Sequence, residues 1–266
     1  LAQSHLQLMN DLWLAVERAE LRLLYQPKFH APAGPILGFE ALLRWQHPKQ
    51  GLLTPELFLP LAEKTGLIIP IGNWVINEAC RQLREWHLQG HQSWSMAVNL
   101  STLQFEQPSL VKTVLDCLAL HQVPPEMLIL EVTETTAMSN PDESVRVLTE
   151  LTNAGVKASI DDFGTGYSSL LYLKRLPACE LKIDRAFVQE LSGESEDATI
   201  VSAIVALAKT LNLKVVAEGV ETEAQQAFLT ELGCNTLQGY LLGKPVSAQT
   251  IEALCARGEM LPGAEQ

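Results

Sequence analysis

Eight short β-forming runs, longer amphipathic runs between them, and acids recurring where the short runs end predict an α/β fold: a (β/α)8 TIM-like barrel with an antiparallel first strand pair. The chain has 266 residues, close to the roughly 250 that such a barrel needs. One large domain therefore fits better than two small ones.

The strands are predicted at residues 21–26, 36–44, 95–100, 127–131, 157–161, 180–183, 214–218 and 236–239. Helical periodicity is clearest at 72–88, 109–121, 141–154, 197–211 and 223–232. Only Pro27 to Pro35 separate the first two strands, too few residues for a crossover helix, so that pair is expected to be antiparallel. Residues 1–20 read as a lead-in helix and 21–266 as the barrel domain.

A hydrophobic fraction of 47% with 19% charged residues is enough to bury a sizeable core. The formal charge of −12 argues against a nucleic-acid polymer as partner, because phosphate backbones are held by clustered Lys and Arg. Cys80, Cys117, Cys179, Cys234 and Cys255 are odd in number and widely spaced, which suggests neither disulfides nor a zinc site and fits a reduced, cytoplasmic chain. The longest apolar run, residues 198–208, is interrupted by Thr199 and Ser202 and ended by Lys209, so no membrane span is expected. A start at Leu1 without a signal pattern is read as a piece of a longer protein, which leaves room for a membrane anchor elsewhere.

A buried strand that finishes in an acid is costly unless the acid is paired or bound to metal. Here the pattern recurs: Glu40 in strand two, Asn99 near the end of strand three, Glu131 ending strand four, and Asp161 with Asp162 ending strand five. Lys182 and Asp184 follow at strand six, Glu218 at strand seven and Gln238 in strand eight. One such acid alone is usually a helix cap or half of an ion pair. In a parallel barrel, however, these ends converge on the face that carries active sites. A cluster of carboxylates with one amide oxygen suits Mg²⁺ or Mn²⁺ better than zinc.

Asp161-Asp162-Phe163-Gly164-Thr165-Gly166 is the most specific local signal, since past the strand end a loop can turn both acids towards one site and serve two metals. Lys182 is the only cation that the strand pattern places among the acids. Charge compensation and polarisation of an attacking water are both open to it. Arg44 suits either a phosphate oxygen or an ordinary salt bridge. His30, His47 and His87 show no metal-ligand spacing, and Trp45 and Phe163 read as core or rim residues.

The motifs FEALLRW around Glu40, VNLS at 98–101, EVTE at 131–134, DDFGTGYSSL at 161–170, LKID at 181–184, AEGVE at 217–221 and LQGYLLGKP at 237–245 resemble the EAL-domain family of cyclic di-GMP phosphodiesterases. The resemblance implies a barrel that opens cyclic di-GMP to linear pGpG with two Mg²⁺ or Mn²⁺ ions. It places Glu40, Asn99, Glu131 and Asp161 on the first metal, with Asp161 bridging to a second held by Asp162 and Glu218. It gives Lys182 the nucleophilic water, Arg44 the phosphate and Glu134 the bracing of the 161–170 loop, while Glu221 and Gln238 line the site. It also allows a homodimer and an attached upstream sensory or GGDEF-type domain. A non-catalytic cyclic di-GMP receptor would keep the pocket but fail to turn over, which the intact metal-ligand positions argue against, and an enolase-like barrel using Lys182 as a base would need a carbon acid.

Overall fold

The computed structural model describes residues 2–166, 169–191 and 195–259. Tyr167 and Ser168 of the DDFGTGYSSL motif, and residues 260–266 of the expected barrel domain, lie outside the described residues. Among the described residues nine strands form one sheet: β1 (Leu21–His30), β2 (Ile36–His47), β3 (Gly51–Leu53), β4 (Ser95–Asn99), β5 (Leu128–Thr133), β6 (Lys157–Phe163), β7 (Glu180–Ile183), β8 (Lys214–Ala217) and β9 (Thr236–Leu237). The order β1-β9-β8-β7-β6-β5-β4-β2, closed by β1 against β2, makes an eight-stranded barrel, and β3 is a hairpin arm on β2. β1 runs antiparallel to both of its neighbours, whereas the links from β2 through β9 around the rest of the barrel are parallel.

All eight expected strands are present, Glu180–Ile183 with the expected ends and the other seven with ends shifted by one to four residues. β1 continues four residues past Gln26, through Pro27, to His30. The proline is tolerated because the Tyr25 amide on the same side of the strand bonds Val246 at 2.7 Å rather than β2, so a missing N–H at Pro27 costs the β1–β2 ladder nothing. The five expected helices are found within a few residues of their predicted ends, the longest being Ile68–Leu88. Helices Pro55–Thr65 and Ala248–Arg257, together with several short ones, lacked a periodic signal strong enough to be foreseen.

Side chains alternate across each strand. In β7, Leu181 and Ile183 point outward into the apolar shell between strands and helices, whereas Glu180 and Lys182 point into the barrel. That shell is dense: Trp86 of Ile68–Leu88 packs on Tyr25 at 5.0 Å and on Phe39 at 4.7 Å between ring centroids. Truncating such a residue costs about 3–5 kcal/mol. A second cluster joins Leu12 and Ala15 of helix Ala2–Ala15 to Trp45, Phe58 and Ile71. Trp45 donates to Glu20 at 2.9 Å, and His47 meets Asp11 at 3.2 Å, so the lead-in segment is fastened to β2. Trp45 is thus a core residue.

Candidate active site

The barrel interior is polar where most barrels are aliphatic. Lys182, on β7, is fully buried, and its Nζ donates to Glu131 Oε2 at 2.9 Å and to Glu40 Oε2 at 3.0 Å. Glu218 Oε2 lies at 3.2 Å and Asp161 Oδ2 at 3.8 Å from the same nitrogen. Four strands thus converge on one ammonium group. Burial by itself pulls its pKa down, but the four carboxylates outweigh that cost and hold Lys182 charged well above the ordinary lysine range.

Glu40 is the best satisfied of the acids. Asn99 Nδ2 donates to its Oε1 at 2.8 Å, and Gln238 Nε2 donates to its Oε2 at 2.6 Å. Burial pushes its pKa up, yet Lys182 and these donors prevail and hold it at about 2. Glu131 goes the other way: burial first, then repulsion from Glu40, raises it well above the usual carboxylate range despite Lys182. Asp161 and Glu218 are raised too, again mainly by burial.

Asp162 departs from ordinary strand geometry. Its φ is +53°, a left-handed value, and the β6–β7 register shifts between Ile160 and Phe163. Asp tolerates that conformation better than most residues. The kink cancels the alternation of neighbouring side chains, so carboxylate oxygens of Asp161, Asp162 and Glu218 all lie within 4.8 Å of one another. Burial, then Asp161, a hydrogen bond to Asp184 and Glu218 push Asp162 up to about 7. Directly after Glu218, Gly219 turns the chain at φ +76°, where an added Cβ would meet Arg185 Cβ at 2.6 Å. Glu134, at the N-terminus of helix Glu134–Ser139, is buried and accepts from the Gly164 and Gly166 amides at 2.9 and 3.2 Å.

The donor set fits a hard divalent cation: an all-oxygen triad at Asp161, Asp162 and Glu218, beside Glu40 and a Glu131 whose Oε1 is buried without a hydrogen-bond donor among the described residues.

The EAL domain family matches residues 9–245, nearly the whole chain. The chain belongs to the EAL domain family. MucR of Pseudomonas aeruginosa, a bifunctional diguanylate cyclase/cyclic di-GMP phosphodiesterase, is 63% identical over 255 residues, covering 96% of this chain and 37% of MucR. NbdA of the same organism, a cyclic di-GMP phosphodiesterase, is 45% identical over 251 residues, covering 94% of this chain and 32% of NbdA. The solved PaMucR phosphodiesterase in complex with c-di-GMP superimposes with a TM-score of 0.90 at 64% identity, covering 92% of this chain and 99% of that one. The EAL domain described here spans about a third of the length of these curated relatives.

Within this EAL domain, Glu40, Asn99, Glu131, Asp161, Asp162, Lys182, Glu218 and Gln238 come together, and Glu134 accepts from two amides of the adjoining loop. Gln238 is buried, and its amide also reaches Gln26 Oε1 at 3.0 Å, so here it orients Glu40. Arg44 shares the Glu40 face of β2 but is engaged with the Leu43 carbonyl at 2.8 Å. Glu221 is exposed, and among the described residues its carboxylate makes no hydrogen bond or ion pair.

One expectation is corrected. Lys182 is not the only cation among the acids, because Lys28 of β1 is also buried, 3.3 Å from Glu180 Oε1 and 3.8 Å from Glu131 Oε1. Ending β1 at Gln26 hid it. Lys28 follows Gln26 by the strand period of two, and that spacing is the signal that could have found it. Among the described residues no helix is long and apolar enough to cross a membrane.

Proposed function

We propose that this EAL domain is a metal-dependent phosphodiesterase that hydrolyses cyclic di-GMP to linear pGpG. The observation that carries the reading is the oxygen triad of Asp161, Asp162 and Glu218 set against the Lys182-centred group of Glu40, Glu131 and Asp161. The similarity to MucR and NbdA supports it, and so does the presence of Glu40, Asn99, Glu131, Asp161, Asp162 and Glu218, which the motif resemblance assigns to the metals.

Glu40, Asn99, Glu131 and Asp161 would hold one Mg²⁺ or Mn²⁺, and Asp161, Asp162 and Glu218 a second. When bound, the pair would neutralise phosphate charge and activate water for in-line attack. The protein's own groups do the rest. Lys182, rigid and charged, orients the attacking water from the barrel side, and Arg44 offers its guanidinium to a phosphate oxygen at the rim. Glu134 holds the loop that carries Asp162. Gln238 positions Glu40 from behind, and Glu221 stands on the open side for substrate.

We also read residues 1–20 as a lead-in to a barrel domain of 21–266, working in the cytoplasm as part of a larger protein with a sensory or GGDEF-type domain upstream, whether or not that protein is membrane-anchored. The share of MucR and NbdA that the chain spans supports this. A homodimer is the proposed assembly, checked by the molar mass from light scattering coupled to size-exclusion chromatography.

Incubating the purified chain with cyclic di-GMP and Mg²⁺ should yield pGpG, and excess chelator should abolish it. Failure of the metal-loaded protein to make pGpG would overturn the reading, as would full activity in chelator.

A further inference from the structure

Glu131 divides its two oxygens between two lysines on different strands. Oε2 accepts from Lys182 at 2.9 Å, on the side of the metal-ligand cluster. Oε1 receives no hydrogen bond among the described residues, and the cation beside it is Lys28, at 3.8 Å. Lys28 is in turn held by Glu180 at 3.3 Å, across the barrel from β1 to β7. Both Glu180 and Lys28 are more than nine-tenths buried.

A buried carboxylate is free to turn about its last torsion unless both oxygens are held. Lys182 alone leaves Glu131 that freedom. A second ammonium group beneath it favours one orientation, with Oε1 drawn down towards the barrel floor and Oε2 directed up to the cluster. Glu180 is too distant in role to hold Glu131 itself, being an acid like it, and acts only by keeping Lys28 in place.

Resting on the metal-dependent reading above, we infer that Lys28 is a positioning residue for the metal centre: from the barrel floor it fixes the carboxylate of Glu131, and Glu180 anchors Lys28. Groups that orient metal ligands change metal affinity typically 10–100-fold when removed. Lys28 is placed to act in that way, with no route to solvent or substrate of its own.

Removing Lys28 alone would leave Glu180 buried and unpaired, so the informative variant is the neutral pair Lys28→Met with Glu180→Gln, compared with Glu180→Gln alone. Mg²⁺ binding is read by titration calorimetry without nucleotide, and folding by melting in chelator. The expected result is a melting temperature close to the parent's for both variants. Mg²⁺ affinity should fall about 10-fold or more in the double variant, and stay within about 3-fold of the parent in Glu180→Gln, which keeps Lys28 beside Glu131. Parent-like affinity in the folded double variant would overturn the inference while leaving the enzyme reading intact. An equal loss in Glu180→Gln would overturn it too, because the glutamine oxygen still accepts from Lys28 and keeps it in place, so the loss would come from the missing charge of Glu180 rather than from Lys28. Should the double variant fail to fold, Lys28→Gln with Glu180→Gln, whose two amides can still bond each other, is titrated in its place, with the same loss expected and the same parent-like affinity overturning the inference. No Mg²⁺ binding by the parent would overturn the metal reading and this inference with it.

Discussion

Asp161 and Asp162 are neighbours in β6, yet both carboxylates face Glu218 because Asp162 adopts φ +53°. In a regular strand one of them would point into the apolar shell. Asp162→Asn keeps a residue that accepts the left-handed conformation while deleting a charge that Asp161, Asp184 and Glu218 repel. The metal-free variant is expected to melt no lower than the parent, whereas turnover falls by about 100-fold. A thermal melt in chelator and a pGpG assay in Mg²⁺ check both halves, and a drop in melting temperature would contradict the repulsion.

The same repulsion sets a pH dependence. Asp162 is raised to about 7, and Glu131, Asp161 and Glu218 are raised as well. Unfolded carboxyls titrate near 4, so between there and neutrality the folded chain holds more protons than the unfolded one. Stability that is fully present below pH 4 is therefore lost as pH rises through the folded values. Glu40, lowered to about 2, acts in the opposite sense but only below pH 4.5. In chelator the melting temperature should fall from pH 5 to pH 8, and Mg²⁺ should raise it more at pH 8, where fewer protons must leave. A flat profile in chelator would show that the carboxylates are not strained.

The counter-charge role of Lys182 and the water-orienting role proposed for it separate by condition. Without metal it is the counter-charge for four acids, so Lys182→Met should lower the melting temperature in chelator and regain much of it with Mg²⁺. With metal saturating, kcat should drop at least 100-fold while cyclic di-GMP binding in Ca²⁺ changes little, because the lost interaction belongs to the transition state. Near-normal kcat in the folded, metal-saturated variant would reduce Lys182 to a counter-charge.

Glu134→Ala removes the acceptor for two backbone amides, Gly164 and Gly166. Each released N–H is worth about 1–3 kcal/mol if it stays buried, so the loop should open instead. Hydrogen exchange at those two amides should accelerate, and turnover should fall about 10-fold as Asp162 loses its fixed position. Unchanged exchange at Gly164 and Gly166 would count against the brace.

The order of strands, the all-oxygen donor set and the family were legible in the sequence because each is written locally: β-forming runs by their period, acids by their place at strand ends, and the EAL motifs by short contiguous strings. Tertiary structure alone decided what those residues touch. Glu40 and Lys182 are 142 positions apart, and Lys28 and Glu180 are 152 apart. Both pairs exist only because β1 closes the sheet against β2 and β9. Period-two alternation puts Lys28 on one face of its strand but does not say which carboxylate stands opposite across the barrel. Nor does it foresee the kink at Asp162, since a left-handed residue is set by the packing around β6 and β7 rather than by its own preference. The sequence by itself determined which chemical groups reach the barrel mouth, and closure of the barrel decided which of them share a proton, a cation or a hydrogen bond, because those interactions act over a few ångströms of space and not along the chain.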